Sequence, residues 1–188
     1  MARLRHLLSL STLLVGAAST AAAHAFEIEH SKASYADRKY QYELRVRLDA
    51  PLDRVEAVLR DYESYPTLDT RILEARIVER PAEHVALLET KLRACFGPFC
   101  RNVKRLERVE ESAGGLAAIT DPARSDVRFG ETHTSLSAAG EGGTLVSYRT
   151  SITPGFWIPP FAGRRWMLST LANATSDLFM NVEERAKK

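Results

Sequence analysis

The sequence lacks most of the features that identify an enzyme or a nucleic-acid-binding protein. It has only two cysteines, and it contains no G-x-S-x-G, H-E-x-x-H, P-loop or G-x-G-x-x-G motif. Its net charge of +2 comes from Arg3 and Arg5, so residues 26–188 are formally neutral. Without a run of clustered Lys and Arg, we predict no nucleic-acid partner.

Long apolar runs are also absent, apart from one at the N-terminus. Leu7 to Ala23 is apolar or small, follows a positively charged start, and ends in overlapping A-x-A cleavage sites. The alternative is a membrane anchor, which needs about 20 apolar residues, but Ser and Thr dilute this run. We therefore predict that residues 1–25 are a cleaved secretory signal peptide, and that the mature protein is soluble and secreted or periplasmic.

The segment from Tyr40 to Pro66 changes its apolar period once. Apolar side chains first occupy every second position, from Tyr40 to Leu48, which is typical of a strand with one buried face. From Leu52 to Tyr62 they recur every three or four positions, which predicts a short amphipathic helix or helix pair. We expect Tyr65-Pro66 to end this segment, because a residue before proline avoids the α region.

The rest of the chain is predicted to be mostly strand, followed by one long helix. The strand-like segments are 72–79, 84–94, 101–111, 115–120, 127–137 and 144–152. In 101–111 the apolar residues Val103, Leu106 and Val109 are three apart, which we attribute to a β-bulge. The apolar stripe of 164–186 predicts the helix. The fold class is therefore α+β: about six to seven antiparallel strands curved around the C-terminal helix, over 38–186, after a polar lead-in at 26–37.

This order of elements resembles that of the START-like (SRPBCC, helix-grip) superfamily. The resemblance is carried by LDAPLDRVEAVLRDYESYP near the front and by GGTLVSYRTSITPGFWIPP before the last helix. Within the superfamily it is similar to the polyketide cyclase/dehydrase and coenzyme Q-binding branch. The resemblance implies a bent sheet wrapped around the last helix, with an elongated apolar cavity between them. It also implies a lipid, isoprenoid or quinone, or polyketide-like ligand, and the superfamily contains both enzymes and carriers.

The two cysteines are predicted to form a disulfide. Four turn-like residues separate Cys95 from Cys100, so a hairpin would place their Cα atoms about 4.5–5.5 Å apart on paired strands. An exported protein meets an oxidising environment, which favours the bridge. A redox-active pair is the alternative, although the spacing is not C-x-x-C. No further ligands lie nearby in the sequence, so we predict neither a metal site nor another cofactor.

His133 is the one candidate for acid/base catalysis. It shares a strand face with Glu131 and Ser135 in the alternating count, and a neighbouring carboxylate can hold a histidine near neutral pKa. The alternative interpretation places all three side chains on a solvated outer face of the sheet.

The ligand cavity is predicted from aromatic residues at loops and helix ends and from one face of the last helix. The predicted lining residues are Tyr62, Tyr65, Tyr148, Phe156, Trp157, Met167, Leu171, Thr175 and Leu178. The leading hypothesis is an exported, non-enzymatic binding protein for a hydrophobic small molecule or lipid, with a transient membrane contact through Phe156-Trp157. The alternatives are a cyclase/dehydrase-type enzyme and a protein-docking module with a collapsed cavity.

Overall fold

The computed structural model describes residues 26–96, 99–159 and 162–188, so the predicted signal peptide lies outside the described residues. The described chain forms one antiparallel sheet and three α-helices. The strands are β1 (Glu27–Ala36), β2 (Lys39–Leu48), β3 (Ile72–Ala82), β4 (Val85–Phe96), β5 (Phe99–Ser112), β6 (Gly115–Thr120), β7 (Val127–Ala139) and β8 (Gly143–Pro154). The helices are α1 (Leu52–Arg60), α2 (Tyr65–Leu68) and α3 (Ala162–Ala186).

The strands follow one another in the sheet in the order β1-β2-β8-β7-β6-β5-β4-β3, so β1 and β3 are the edges. Helix α3 packs on β1 and β2 and on the short helices α1 and α2. Its C-terminal half joins the main core, where Phe179 and Val182 meet Val55 and Leu48. This is the predicted α+β helix-grip arrangement of a curved sheet around a long C-terminal helix.

Strand β1 is the element that the sequence did not predict. The segment 26–37, interpreted as a polar lead-in, instead pairs with β2 along most of its length, which raises the strand count to eight. Most of β1 is exposed because it lies at the sheet edge. The apolar alternation that reveals a half-buried strand is therefore missing there. In β2 that alternation is present, and its predicted inward face, from Tyr40 to Leu48, is buried.

The helical segment that begins with α1 does not end at Tyr65-Pro66, as the proline predicted. Helix α1 ends at Arg60, and a short 3₁₀ turn over Tyr62–Ser64 leads directly into α2. Pro66 lies in the first turn of α2, where its missing N–H costs no hydrogen bond. The expectation that Tyr65-Pro66 ends the segment is therefore wrong, and the predicted helix pair is confirmed.

Strand β5 contains no bulge in its pairing with β4, and this changes which of its residues face inward. The register runs without interruption from Val85↔Glu110 to Phe96↔Phe99. Leu106 is buried on the outer face, where the β6–β7 connection covers it: its backbone N–H donates to Ser125 Oγ and its carbonyl accepts from Asp121 N, both at 2.8 Å. The spacing of three between Val103, Leu106 and Val109 therefore arises because these residues lie on both faces of one regular strand.

The predicted disulfide is confirmed. Cys95 and Cys100 are paired directly opposite each other at the end of the β4–β5 hairpin, with 3.9 Å between their Cα atoms. Both cysteines of the chain are used in this bridge.

Candidate functional site

The sheet and α3 enclose a cavity of about 320 Å³. It lies beside the main core, between the N-terminal and middle turns of α3 and the six strands from β3 to β8. Most of its wall is apolar. The apolar lining residues include Leu59, Ile72, Leu88, Leu92, Val109, Leu116, Ile152, Met167, Leu171, Leu178 and Phe179.

Seven of the nine predicted lining residues lie in this wall: Tyr62, Tyr65, Tyr148, Met167, Leu171, Thr175 and Leu178. The other two, Phe156 and Trp157, are not among the residues that line this cavity. Phe156 packs on the outside of a small cluster that contains Val103 and Val127, and Trp157 is 78% exposed. Both residues lie in the loop after β8, at one end of the sheet.

Inside the apolar wall, β5 supplies two charged side chains that the sequence analysis missed. Because β5 is regular, Arg105 and Glu107 both face inward, and their side chains form an ion pair. Glu107 is only 6% exposed, and Thr120 Oγ1 donates a hydrogen bond to it at 3.4 Å. The Nε atom of Arg105 is buried and has no hydrogen-bond partner among the described residues. The cavity wall therefore contains a charged polar patch.

Hydroxyl groups surround this polar patch. Thr90, Thr132 and Thr134 also line the cavity, and Thr132 Oγ1 lies 2.9 Å from Thr150 Oγ1. Burial raises the pKa of Tyr148, and the positive charge of Arg105 and hydrogen bonding to Thr150 act in the opposite direction. These side chains are neutral near pH 7, so they can orient a ligand oxygen without adding charge.

The other two cavity tyrosines use their hydroxyls elsewhere. Tyr65 donates to the carbonyl of Leu59 at 2.7 Å, and Tyr62 donates to Glu111 at 2.9 Å. Burial raises the pKa of both phenols above the ordinary tyrosine value. These two tyrosines therefore form part of the cavity wall and are not acid/base groups. Their rings contact each other edge to face, with centroids 5.8 Å apart.

His133 lies on the outer face of the sheet. Its side chain is 54% exposed, and its Nε2 is 2.8 Å from Glu131 Oε1. Its neighbours in sequence, Thr132 and Thr134, face the cavity instead. The interpretation as a solvated outer face therefore describes His133, and it cannot act on a molecule inside the cavity. No group of His, Cys, Asp or Glu within the described ranges could hold a metal ion.

A polar seam closes the cavity between α3 and the start of edge strand β3. Arg71 binds Asp69 at 2.8 Å and reaches Asp177 of α3 at 3.0 Å. One helical turn further, Asn181 Nδ2 donates to the carbonyl of Leu68 at 2.7 Å. Asp69 and Ala174 border the cavity directly, so these contacts form its boundary toward solvent on this side.

No protein-family model and no curated protein sequence matches this chain. Solved structures do match. The Zhui aromatase/cyclase from Streptomyces sp. R1128 has a TM-score of 0.65 and 15% identity, over 79% of this chain and 94% of that chain. A START superfamily protein from Mycobacterium smegmatis has a TM-score of 0.63 and 15% identity, over 78% and 97%. A STAR-related lipid transfer protein from Xanthomonas axonopodis has a TM-score of 0.61 and 14% identity, over 84% and 99%.

These similarities confirm the predicted START-like helix-grip fold. The sequence identities are low, so the similarities establish the architecture and leave the ligand to be argued from the cavity itself. In the described part of the chain, no helix has both the length and the apolarity needed to cross a membrane.

Proposed function

We propose that this protein binds a small amphipathic molecule in the cavity between the sheet and α3, with an oxygen of the ligand facing Arg105. The observation that carries the proposal is the polar patch of Arg105 and Glu107 inside an otherwise apolar cavity. In a core packed without a cavity such a pair is commonly unfavourable, because the desolvation cost of burying two charges can exceed the free energy of their attraction.

The apolar wall supports a hydrophobic ligand body. Burial of each CH2 group contributes about 0.8 kcal/mol, so a hydrocarbon portion can bind without a dense polar network. The cavity volume of about 320 Å³ lies at the lower end of the range for ligand pockets, roughly 300–1,000 Å³. These features fit a lipid, an isoprenoid or quinone, or a polyketide-like molecule of modest size, with partial expansion of the cavity for longer chains.

The polar patch supports a neutral oxygen rather than a fully charged group on the ligand. Glu107 already balances the charge of Arg105, so a ligand carboxylate would place a second negative charge beside it. A carbonyl, hydroxyl or phenol oxygen would accept a hydrogen bond from the Arg105 guanidinium without this repulsion.

An enzyme of the cyclase or dehydrase type is the second candidate, because the same patch could polarise a carbonyl. Arg105 would stabilise a developing negative charge on the oxygen, and Glu107 or a neighbouring hydroxyl would exchange a proton. Of the proteins with a similar fold, one is an aromatase/cyclase and another is a STAR-related lipid transfer protein. The third alternative, a docking module with a collapsed cavity, has less support because the cavity is open.

Export forms part of the proposal. The apolar N-terminal segment has the features of a secretory signal, and the Cys95–Cys100 bridge suits an oxidising compartment. We therefore propose a ligand that occurs outside the cytoplasm, such as a membrane lipid or a secreted hydrophobic metabolite.

Native mass spectrometry of protein purified without detergent tests binding. We expect a non-covalent complex whose ligand is released into organic solvent and contains oxygen. A neutral fluorescent hydrophobic probe should compete for the same cavity. Protein that carries no ligand and also fails to bind the probe would contradict the proposal, whereas turnover of the extracted ligand to a new product would favour the cyclase-type enzyme.

A further inference from the structure

Two exposed aromatic side chains lie at the same end of the molecule. Phe99, beside the disulfide at the tip of the β4–β5 hairpin, and Trp157, in the loop after β8, are each 78% exposed. The two loops meet, because the guanidinium of Arg101 lies 4.4 Å from the centre of the Phe156 ring. Exposed apolar residues that are grouped at one end of a protein mark an interaction surface more often than scattered ones do, so this end has the character of a contact surface.

Positive charge is concentrated at this end. The loops and strand ends at 36–39, 93–96, 99–101, 121–128, 154–159 and 162–165 carry eight basic residues and three aspartates. The basic residues are Arg38, Lys39, Arg93, Arg101, Arg124, Arg128, Arg164 and Arg165. Residues 26–188 are neutral overall, so the excess is local. It arises from distant parts of the sequence and exists only in the folded chain.

Observed contacts hold these segments together. Gly155 N donates to the carbonyl of Asp126 at 2.8 Å, which joins the loop after β8 to the β6–β7 connection. Arg164, in the first turn of α3, lies 4.3 Å from the ring centre of Tyr35 on β1. The basic groups and the exposed rings therefore share one face of the protein.

We propose that this face, defined by Phe99, Trp157 and the surrounding arginines, docks the protein on a membrane that contains anionic lipids. Aromatic rings favour the interface between headgroups and hydrocarbon, and clustered Lys and Arg are attracted to a negative lipid surface. An acidic protein partner is less well supported, because the rings project from two separate loops and form no groove.

The face adjoins one end of the cavity. Leu92, Ile152 and Met167 line the cavity and also belong to, or pack on, the small apolar cluster that carries Phe156. A membrane bound at this face would thus lie next to the apolar cluster that borders the cavity. The inference rests on the proposed function in this respect: docking would bring a lipid-like ligand to the site that binds it.

Co-sedimentation with lipid vesicles tests the proposal, with protein recovered from expression of the full chain. We expect binding to vesicles of mixed phosphatidylcholine and phosphatidylglycerol, little binding to phosphatidylcholine alone, and weakening by salt. The double variant Phe99→Ser/Trp157→Ser should reduce the partition coefficient at least about fivefold. Met180→Ser is the matched control, because Met180 is exposed on the C-terminal half of α3, and it should bind like the unmodified protein.

A second pair of variants tests the charge. Arg93→Glu/Arg165→Glu should abolish the preference for anionic vesicles, whereas Arg54→Glu/Lys188→Glu changes the net charge equally at positions remote from this face and should have little effect. Equal binding by the aromatic double variant and the unmodified protein, or no vesicle binding at all, overturns the proposal. Binding of the neutral probe in solution is measured in parallel. If probe binding fails while vesicle binding persists, the proposed ligand site is wrong and the docking face stands.

Discussion

Arg71 and Asp177 connect the start of edge strand β3 to helix α3, with 3.0 Å between Nη2 and Oδ2. The same arginine is held by Asp69, and its Nη2 also lies 3.4 Å from the carbonyl oxygen of Ala174. Arg71 therefore joins the two walls of the cavity on the side where the polar seam separates it from solvent. A ligand that enters between β3 and α3 has to separate these contacts.

We predict that Arg71→Ala accelerates exchange of a bound hydrophobic probe by about tenfold, because a partly exposed ion pair contributes about 1 kcal/mol and a further hydrogen bond is lost with it. Stopped-flow displacement measures the rate. Arg76→Ala is the matched control, since Arg76 of β3 forms an ion pair with Glu89 of β4, and neither residue lines the cavity. Equal exchange rates for the two variants would place the entrance elsewhere.

Filling the cavity should weaken ligand binding without unfolding the protein. Leu171→Trp adds volume inside the cavity, so we expect probe affinity to fall at least tenfold and the free energy of unfolding to change by less than about 1.5 kcal/mol. Thr175→Trp should act similarly, although it also removes the hydrogen bond from Thr175 Oγ1 to the carbonyl of Leu171. Leu168→Trp, on the same helix and outside the lining, should leave affinity unchanged. A loss of several kcal/mol with unchanged binding would show that the interior is solid.

The polar patch gives a separate prediction for ligand chemistry. Arg105→Met leaves Glu107 buried without its cation, which should cost about 3–5 kcal/mol of stability. The double variant Arg105→Met/Glu107→Leu removes both charges and should recover most of that loss. Isothermal titration with a long-chain ketone and with the corresponding hydrocarbon then tests the patch. We expect the double variant to lose affinity for the ketone only, and equal losses for both ligands would contradict the assigned role.

The buried tyrosines predict a loss of stability in alkali. Burial raises the pKa of Tyr62, Tyr65 and Tyr148 in the folded protein, whereas the unfolded chain has the ordinary value of about 10. The unfolded state therefore loses its tyrosine protons at a lower pH than the folded state does. The contribution of these phenols to stability is fully present below about pH 10 and falls as the pH rises beyond it, by up to about 1.4 kcal/mol per pH unit for each group. Urea unfolding between about pH 9 and about pH 11 measures the slope, and Tyr148→Phe should reduce it by about one third. A flat profile would mean that these phenols are not buried in solution.

The disulfide should contribute modestly to stability. The bridge closes a loop of only four intervening residues, so Cys95→Ser/Cys100→Ser should lower the free energy of unfolding by about 2 kcal/mol. Thiol titration of unreduced protein should find no free thiol. Two reactive thiols in freshly isolated material would show that the bridge does not form in the cell.

Some parts of the fold and site could be predicted because their signals are local. The alternation of β2 depends on one buried face, and the disulfide depends on a hairpin between Cys95 and Cys100. The helical lining residues Leu171, Thr175 and Leu178 follow from the period of α3. In each case the neighbours that decide the structure lie within a few positions in the chain.

Other parts depend on contacts between distant segments. Arg105 and Glu107 were missed because the β6–β7 connection buries Leu106 on the outer face, which gives a regular strand an apparent period of three. Trp157 was assigned to the cavity because an exposed aromatic residue near its mouth suggested a lining role, yet its side chain is exposed and is not part of the lining. Tertiary packing decided both outcomes, and neither has a signature in the residues themselves.

Arg105 and Glu107 are neighbours on the same face of one interior strand, which has a lasting consequence for how the cavity can open. Their separation is fixed by the two-residue repeat of β5, which pairs with β4 on one side and, on the other, with the end of β6 and the β6–β7 connection. The position of α3 has no part in it. A shift of the helix would therefore leave the geometry of this charged pair unchanged. Under the proposed function, the sheet alone would orient the ligand oxygen, whatever the size of the hydrocarbon beside it.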